Sequence, residues 1–149
     1  MKRGGVPVTE RLTQALGGHD SSEAVFKSRL EAPAQALDLR SLLAAHPVLP
    51  RVCLNDPRDA VPLASALLEA GLPLLEISLS TPAALTAIES IRSALPQFCI
   101  GAGMMLSPGQ VNDAMTAGAL FGAGPAMCPR LLAAASSADF PFLPGAMTA

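Results

Sequence analysis

The stretch Leu72-Pro-Leu-Leu-Glu-Ile-Ser-Leu-Ser-Thr81 sets one carboxylate, Glu76, inside an aliphatic segment that ends in small polar residues. Burial among apolar side chains raises the pKa of a carboxyl group, so that it can carry protons near neutral pH. Glu76 is therefore the best candidate for a catalytic residue. Two alternatives stay open at this point: a solvent-facing strand residue, or a structural ion pair with an arginine such as Arg51.

The same succession of apolar segment, short turn and proline recurs along the chain. The four prolines that follow the turns are spaced by 25, 26 and 21 residues, at Pro57, Pro82, Pro108 and Pro129. Proline is favoured at the first position of a helix, because the N–H that it lacks would be unpaired there. The pattern predicts strands over about 48–54, 73–79, 98–103, 119–124 and 140–144, with helices over about 57–70, 82–95, 108–117 and 129–137.

Continuous apolar strands between helices are typical of a parallel sheet that is covered on both faces. The spacing fits either an open doubly wound sheet or the first part of a (β/α)8 barrel. In both folds the functional groups stand at the carboxyl ends of the strands. We therefore expect one face to collect Glu76, Ser78, Ser80, Gly101 to Met104, Gly124 and Gly145 to Thr148.

The chain divides by composition near residue 35. Residues 1–35 are mixed and contain the turn-like stretch Gly17-Gly-His-Asp-Ser-Ser22, so we interpret them as an N-terminal extension. An amphipathic helix is predicted over 36–45, and the repeating units follow it. The prediction is an extension at 1–35 and a βα domain at 36–149.

Composition excludes several classes of function. Of the 149 residues, 50% are hydrophobic and 15% are charged, and the net charge is -2. Such a chain has no basic field for a phosphate backbone, so we expect no nucleic-acid partner. We find no apolar run long enough for a signal peptide or a membrane span, and we expect no membrane association.

The three cysteines, Cys53, Cys99 and Cys128, are widely spaced and lie in apolar segments. This arrangement is typical of buried, reduced thiols in a cytoplasmic protein. Because there is no Cys-x-x-Cys pair and histidines are few, we expect neither a metal site nor a catalytic cysteine.

Two glycine pairs, Gly101-Ala-Gly103 and Gly122-Ala-Gly124, allow two interpretations. Glycine lets backbone N–H groups approach an anion, which suits a phosphate cradle. It also permits close packing in a barrel, and we favour packing because neither segment completes a known phosphate-loop pattern. An open-sheet nucleotide binder is therefore the weakest functional hypothesis.

Several segments resemble the 2-keto-3-deoxy-6-phosphogluconate and 4-hydroxy-2-oxoglutarate aldolases, a family of pyruvate-forming class I aldolases. In order along the chain they are Pro47-Val-Leu-Pro50, Asp59-Ala-Val-Pro-Leu-Ala64, Leu75-Glu-Ile-Ser-Leu-Ser-Thr-Pro82, Ile100-Gly-Ala-Gly103, Ala117-Gly-Ala119 and Phe142-Leu-Pro-Gly145. The resemblance implies the N-terminal half of the family's fold. That half is a partial (β/α)8 barrel with about five parallel strands and four covering helices, without strands six to eight.

The resemblance also implies a chemistry. In the family a glutamate on the second strand moves protons, while a lysine on a later strand forms a Schiff base with the keto acid. Glu76 matches the glutamate. The only lysines of this chain, Lys2 and Lys27, precede the repeats and match no family lysine. The resemblance further implies a small keto-acid substrate, no cofactor or metal, and a homo-oligomer, a trimer in the family, or a complementing chain.

By the same resemblance, the substrate-binding positions are Ser80, Gly101, Gly103, Met104, Pro125 and Gly145. The family carries an arginine for a substrate carboxylate where this chain has Ser80, and a threonine where it has Met104. The family's Ser-Pro-Gly becomes Gly124-Pro-Ala126. Each change removes a polar group that is expected to contact substrate.

The implied activity is the reversible cleavage of 2-keto-3-deoxy-6-phosphogluconate to pyruvate and glyceraldehyde 3-phosphate. Without the lysine, the chain is expected to be inactive alone. The alternative is a non-catalytic remnant or interaction module, whose open sheet edge is buried by another copy or by a separate chain.

Overall fold

Five parallel strands form one sheet in residues 39–146, the part of the chain that this computed structural model describes. Along the chain the elements are α1 (Leu39–Ala45), β1 (Arg51–Val52), a 3-10 turn (Pro57–Asp59), α2 (Ala60–Glu69), β2 (Leu74–Ser78), α3 (Ala84–Ala94), β3 (Cys99–Gly103), α4 (Gly109–Thr116), β4 (Phe121–Gly124), α5 (Pro129–Ser137) and β5 (Phe142–Pro144). The five predicted strands and the four helices that follow strands are thereby confirmed.

The order of the strands decides between the two predicted architectures. Within the described residues the sheet runs β1-β2-β3-β4-β5, so each strand pairs with the next one in sequence. A doubly wound sheet reverses its strand order at a switch point, whereas a (β/α)8 barrel advances in one direction. The fold is therefore a partial (β/α)8 barrel.

Strand β1 is much shorter than the sequence predicts. Its ladder covers only Arg51–Val52, whereas the prediction began at residue 48. Pro50 lacks an N–H and takes part only through its carbonyl, which accepts from the Glu76 N–H at 2.9 Å. The proline therefore explains why the ladder begins only at Arg51, and the other residues of the predicted strand, 48–50 and 53–54, lie outside it.

Glycines follow two of the helices and end them. Gly71 after α2 and Gly118 after α4 have φ angles of 79° and 90°, a backbone region that glycine enters without steric cost. The Leu72 N–H then bonds back to the Leu67 carbonyl at 2.8 Å, and Ala119 repeats this bond to Ala114 at 2.9 Å. These closures satisfy helix-end carbonyls and turn the chain into the next strand.

The hydrophobic core lies between the sheet and its helices. Alternate residues of the strands point towards the helices, and Ile77, Ile100 and Ala102 are fully buried there against Ile88 and Ile91 of α3. We call this side of the sheet the outer face and the opposite side the inner face. In a barrel the inner face lines the interior, where functional groups converge at one end.

Some predictions fall on residues that the structure does not describe, and the prediction about membrane helices can be checked only in residues 39–146. The extension at 1–35 and the positions Met147 and Thr148 lie outside the described residues, so the division into an extension and a domain stays a prediction. Among residues 39–146, no helix is long and apolar enough to cross a membrane.

The core assignment predicts a large difference between two truncations. Ile100→Ala should lower the free energy of unfolding by about 2–5 kcal/mol, because it leaves a cavity beneath α3. Val48→Ala, at a side chain that is 58% exposed, should change it by less than about 0.5 kcal/mol. Urea unfolding followed by circular dichroism measures both, and equal losses would contradict the assignment.

Candidate active site

Glu76 occupies the middle of β2, on the inner face of the sheet. It is only 3% exposed, and in the parallel register it lies beside Arg51 of β1 and Gly101 of β3. A carboxylate in this position costs free energy unless a partner compensates its charge. The solvent-facing alternative for Glu76 is therefore wrong, and its surroundings decide what it can do.

Arg51 supplies the compensating charge. Its Nε donates to Glu76 Oε1 at 2.6 Å, and this contact is an ion pair as well as a hydrogen bond. The arginine side chain is 51% exposed, so the pair spans the boundary between the inner face and solvent. The ion-pair alternative raised by the sequence is thus the arrangement observed.

Two glycines of β3 leave space on the inner face for side chains of the neighbouring strands. A Cβ placed on Gly103 would overlap the Glu76 carboxyl group, and a Cβ on Gly101 would overlap the Phe121 ring. The space that these glycines leave is filled by side chains of neighbouring strands. The packing interpretation of the glycine pair is therefore confirmed for Gly101 and Gly103.

Above Glu76, at the carboxyl ends of the strands, hydroxyl and thiol groups meet. Ser78 and Ser80 share a hydrogen bond of 2.9 Å between their hydroxyl oxygens, and Cys53 Sγ lies 3.5 Å from the Ser80 oxygen. The Thr81 hydroxyl donates to the Leu54 carbonyl at 2.6 Å and ties the ends of β1 and β2 together. The site rim thus offers small polar groups next to the buried carboxylate.

The cysteines do not share one environment, which corrects the expectation that all three are buried. Cys53 is exposed, Cys128 is partly exposed and only Cys99 is buried. Hydrogen bonds from Ser80 and Ser78 lower the pKa of the Cys53 thiol, and Arg51 adds a smaller effect. Burial raises the pKa of Cys99 to about 12. Cys53 follows the two-residue edge strand β1, where an apolar pattern does not imply burial.

Met104, after the end of β3, is a further neighbour of Arg51. It is the first residue after β3 and has a φ of 54°, an unusual conformation for a residue with a side chain. Its Sδ lies 4.0 Å from Nη1 of Arg51. Met104 therefore lies beside Arg51, and its role in substrate binding stays a prediction.

The remaining predicted positions, Pro125 and Gly145, belong to a separate contact at the ends of β4 and β5. The Gly145 N–H donates to the Gly124 carbonyl at 2.8 Å, and a Cβ on Gly145 would stand 2.6 Å from the Pro125 carbonyl carbon. Within residues 39–146, no hydrogen bond or ion pair joins Pro125 or Gly145 to Glu76 or Arg51. The substrate-binding role of Pro125 and Gly145 therefore stays a prediction, as it does for Ser80, Gly101, Gly103 and Met104.

A buried acid on the inner face of a partial (β/α)8 barrel, with polar groups at the strand ends, defines a class of small-molecule enzyme sites. Comparison with known proteins gives the family. The profile described as "Aldolase: KDPG and KHG aldolase" matches residues 39–149, and the chain belongs to this family. The matched part corresponds to the N-terminal half of the family's fold.

Individual relatives agree with the family profile. The KHG/KDPG aldolase of Escherichia coli is 37% identical over 108 residues, which cover 72% of this chain and 51% of the relative. The 2-dehydro-3-deoxy-phosphogluconate aldolase of Zymomonas mobilis is 36% identical over 112 residues, which cover 75% and 53%. The chain therefore spans about half the length of the relatives that it matches.

Solved structures of the family have the same fold over the shared part. The 2-keto-3-deoxy-6-phosphogluconate aldolase of Zymomonas mobilis with 3-phosphoglycerate has a TM-score of 0.71 and 35% identity, over 77% of this chain and 55% of that one. The KDPG aldolase of Legionella pneumophila, with pyruvate captured as a covalent carbinolamine intermediate, has a TM-score of 0.66 and 38% identity, over 68% and 50%.

The contact between Glu76 and Gly103 predicts a specific sensitivity. Gly103→Ala should lower the free energy of unfolding by about 1–3 kcal/mol, because its methyl group forces the carboxylate out of its place beside Arg51. Gly109→Ala is the matched control at the start of α4, where nothing lies within 4 Å of the added Cβ. It should be neutral or stabilising by up to about 1 kcal/mol, as measured by urea unfolding.

The cysteine environments predict an order of alkylation. Because its pKa is lowered, Cys53 should react with iodoacetamide first at neutral pH, and Cys99 should react only after unfolding. Ser80→Ala removes the main cause of the lowered pKa, so the rate profile of Cys53 should move to higher pH. Peptide mass spectrometry assigns each site; an unchanged profile in Ser80→Ala would contradict the assigned cause.

Proposed function

We propose that this chain carries the acid-bearing half of a class I aldolase site, which binds a small 2-keto acid. The observation that carries this proposal is the burial of Glu76 on the inner face, within the Leu75–Pro82 segment that resembles the family's catalytic strand. A carboxyl group held there is suited to moving a proton at the carbon next to a keto group. Ser80, Gly101, Gly103 and Met104 would line the substrate beside it.

The reaction of the complete site would be the cleavage of 2-keto-3-deoxy-6-phosphogluconate to pyruvate and glyceraldehyde 3-phosphate. This step needs an amine that forms an iminium with the keto carbon, because the iminium accepts the electron pair of the breaking C–C bond. Lys2 and Lys27 are the only lysines in the sequence, so residues 28–149 contain none. We propose that the chain alone therefore does not perform the cleavage.

A non-catalytic role of the same fold is the second candidate. Two large apolar side chains stand at the strand ends, Leu106 after β3 with 67% exposure and Met127 after β4 with 64% exposure. Strand β5 pairs with β4 alone among the described residues, so its other edge is open there. Exposed apolar groups and an open edge favour association with a second copy, as in a homo-oligomer, or with a chain that completes the barrel.

The proposal extends to organisation and location. We propose that residues 36–149 are the aldolase-type domain and residues 1–35 a separate extension. A cytoplasmic location is supported by the three cysteines, which are free thiols.

Borohydride trapping tests the catalytic part of the proposal. Purified chain incubated with pyruvate and borohydride should show no pyruvate adduct by intact-mass spectrometry, because residues 28–149, which include Glu76, contain no lysine. Retro-aldol release of pyruvate should equal the background without protein. The double variant Lys2→Ala/Lys27→Ala is the control, and it should behave as the unmodified chain does.

Two results would contradict the proposal in different ways. Adduct on Lys2 or Lys27 together with pyruvate release would mean that an N-terminal amine completes the site. A stable oligomer in analytical ultracentrifugation, with no binding of pyruvate at millimolar concentration, would favour the interaction module over the keto-acid site.

A further inference from the structure

Arg51 has a position that its ion pair with Glu76 does not fully account for. Among the five strands of residues 39–146, it is the only cationic residue. Glu76 is almost completely buried, whereas the Arg51 side chain is 51% exposed. The Arg51 side chain therefore connects the buried acid with a surface that residues 39–146 leave uncovered.

The donors of Arg51 are only partly used. A guanidinium has five N–H groups in one plane, and the Nε–H is committed to Glu76. Nη1 has the Met104 sulfur at 4.0 Å, which is a weak acceptor, and no other hydrogen bond of this guanidinium is found in residues 39–146. The edge formed by Nη1 and Nη2 thus keeps its donors for another acceptor.

We infer that Arg51 binds the carboxylate of the keto acid through this edge; the inference rests on the proposed function of the site. A planar guanidinium binds one carboxylate on each of two edges, so Arg51 can hold Glu76 and a ligand at the same time. The family resemblance predicts a cationic side chain for the substrate carboxylate at the position where this chain has Ser80. The required cation comes instead from β1, across the sheet.

This arrangement gives the site a defined selectivity. The neighbouring hydroxyl groups of Ser78 and Ser80 bind each other at 2.9 Å and are uncharged. They therefore cannot distinguish an anion from a neutral group of the same shape, whereas Arg51 can. Discrimination between a keto acid and its neutral amide should depend on Arg51.

The test compares pyruvate with pyruvamide, its uncharged analogue. Both are titrated into the full chain, and binding is followed through the NMR amide resonances of Gly101, Gly103 and Met104. The unmodified chain should bind pyruvate at least about tenfold more tightly than pyruvamide, the difference expected of a charged hydrogen-bonded pair. Arg51→Met should abolish this preference and leave the affinity for pyruvamide nearly unchanged.

Further variants separate the binding role of Arg51 from loss of the fold. Arg51→Met leaves Glu76 without its partner, so the comparison is repeated in Glu76→Gln, with and without Arg51→Met. Arg51→Lys keeps the charge but not the planar fork, and it should reduce the preference to an intermediate value. Arg58→Met is the matched control, because Arg58 is exposed and bound to Asp56 at 2.6 Å; its preference should equal that of the unmodified chain.

The outcomes separate this inference from the proposed function. Loss of the preference in both Arg51→Met backgrounds supports the inference. If the unmodified chain prefers pyruvate and the Arg51 variants keep that preference, the inference is overturned and the keto-acid site stands. If the unmodified chain binds neither compound, both the keto-acid site and the role of Arg51 are overturned.

Discussion

The ion pair between Arg51 and Glu76 is the constraint on which the inner face of this protein depends. A carboxylate with 3% exposure must have a charged or hydrogen-bonded partner, since the cost of an isolated buried charge is several kcal/mol. The partner comes from the directly adjacent position of β1, a strand with only two ladder residues. The same pair therefore neutralises the site and joins the edge strand to the sheet, in addition to the backbone bond from Glu76 to Pro50.

Glycine on β3 makes that arrangement sterically possible. The Glu76 side chain leans over Gly103, and the Phe121 ring from the other neighbouring strand fills the space over Gly101. Strand β3 thus has two glycines on its inner face, and a side chain of a neighbouring strand covers each of them, Glu76 from β2 and Phe121 from β4. Stability and function are thus coupled here, because the glycine that admits the aromatic ring and the glycine that admits the acid belong to the same five-residue strand.

The groups at the strand ends of this chain include only some of those that a class I aldolase reaction needs. Membership of the aldolase family rests on residues 39–149, and the chain spans about half the length of its relatives. What the described part holds is an acid, a cation, small hydroxyl groups and a thiol with a lowered pKa at one end of the sheet. These groups suit binding of a small anion and movement of a proton. Formation of an iminium needs an amine, which this set lacks.

Sequence by itself determined the repeating βα units and the aliphatic setting of Glu76. These features follow from local preferences and from the periodicity of apolar residues, which are properties of short segments. A proline, by contrast, begins only α5 and the 3-10 turn before α2, whereas α3 and α4 begin at Ala84 and Gly109. The periodicity could not choose between a barrel and a doubly wound sheet, because both have the same periodicity, and only the family resemblance implied the barrel. Strand order decided that question, and strand order is a long-range property.

Only the tertiary structure decided which partner Glu76 takes and which predicted positions meet. Arg51 and Glu76 are far apart in sequence and adjacent in the register of β1 and β2, whereas Pro125 and Gly145 lie at another pair of strand ends. The exposure of Cys53 was likewise set by the early end of β1, which among residues 39–146 pairs with β2 alone. A pattern of apolar residues indicates which side chains tend to be buried. The strands and helices next to each strand determine which of those side chains are covered.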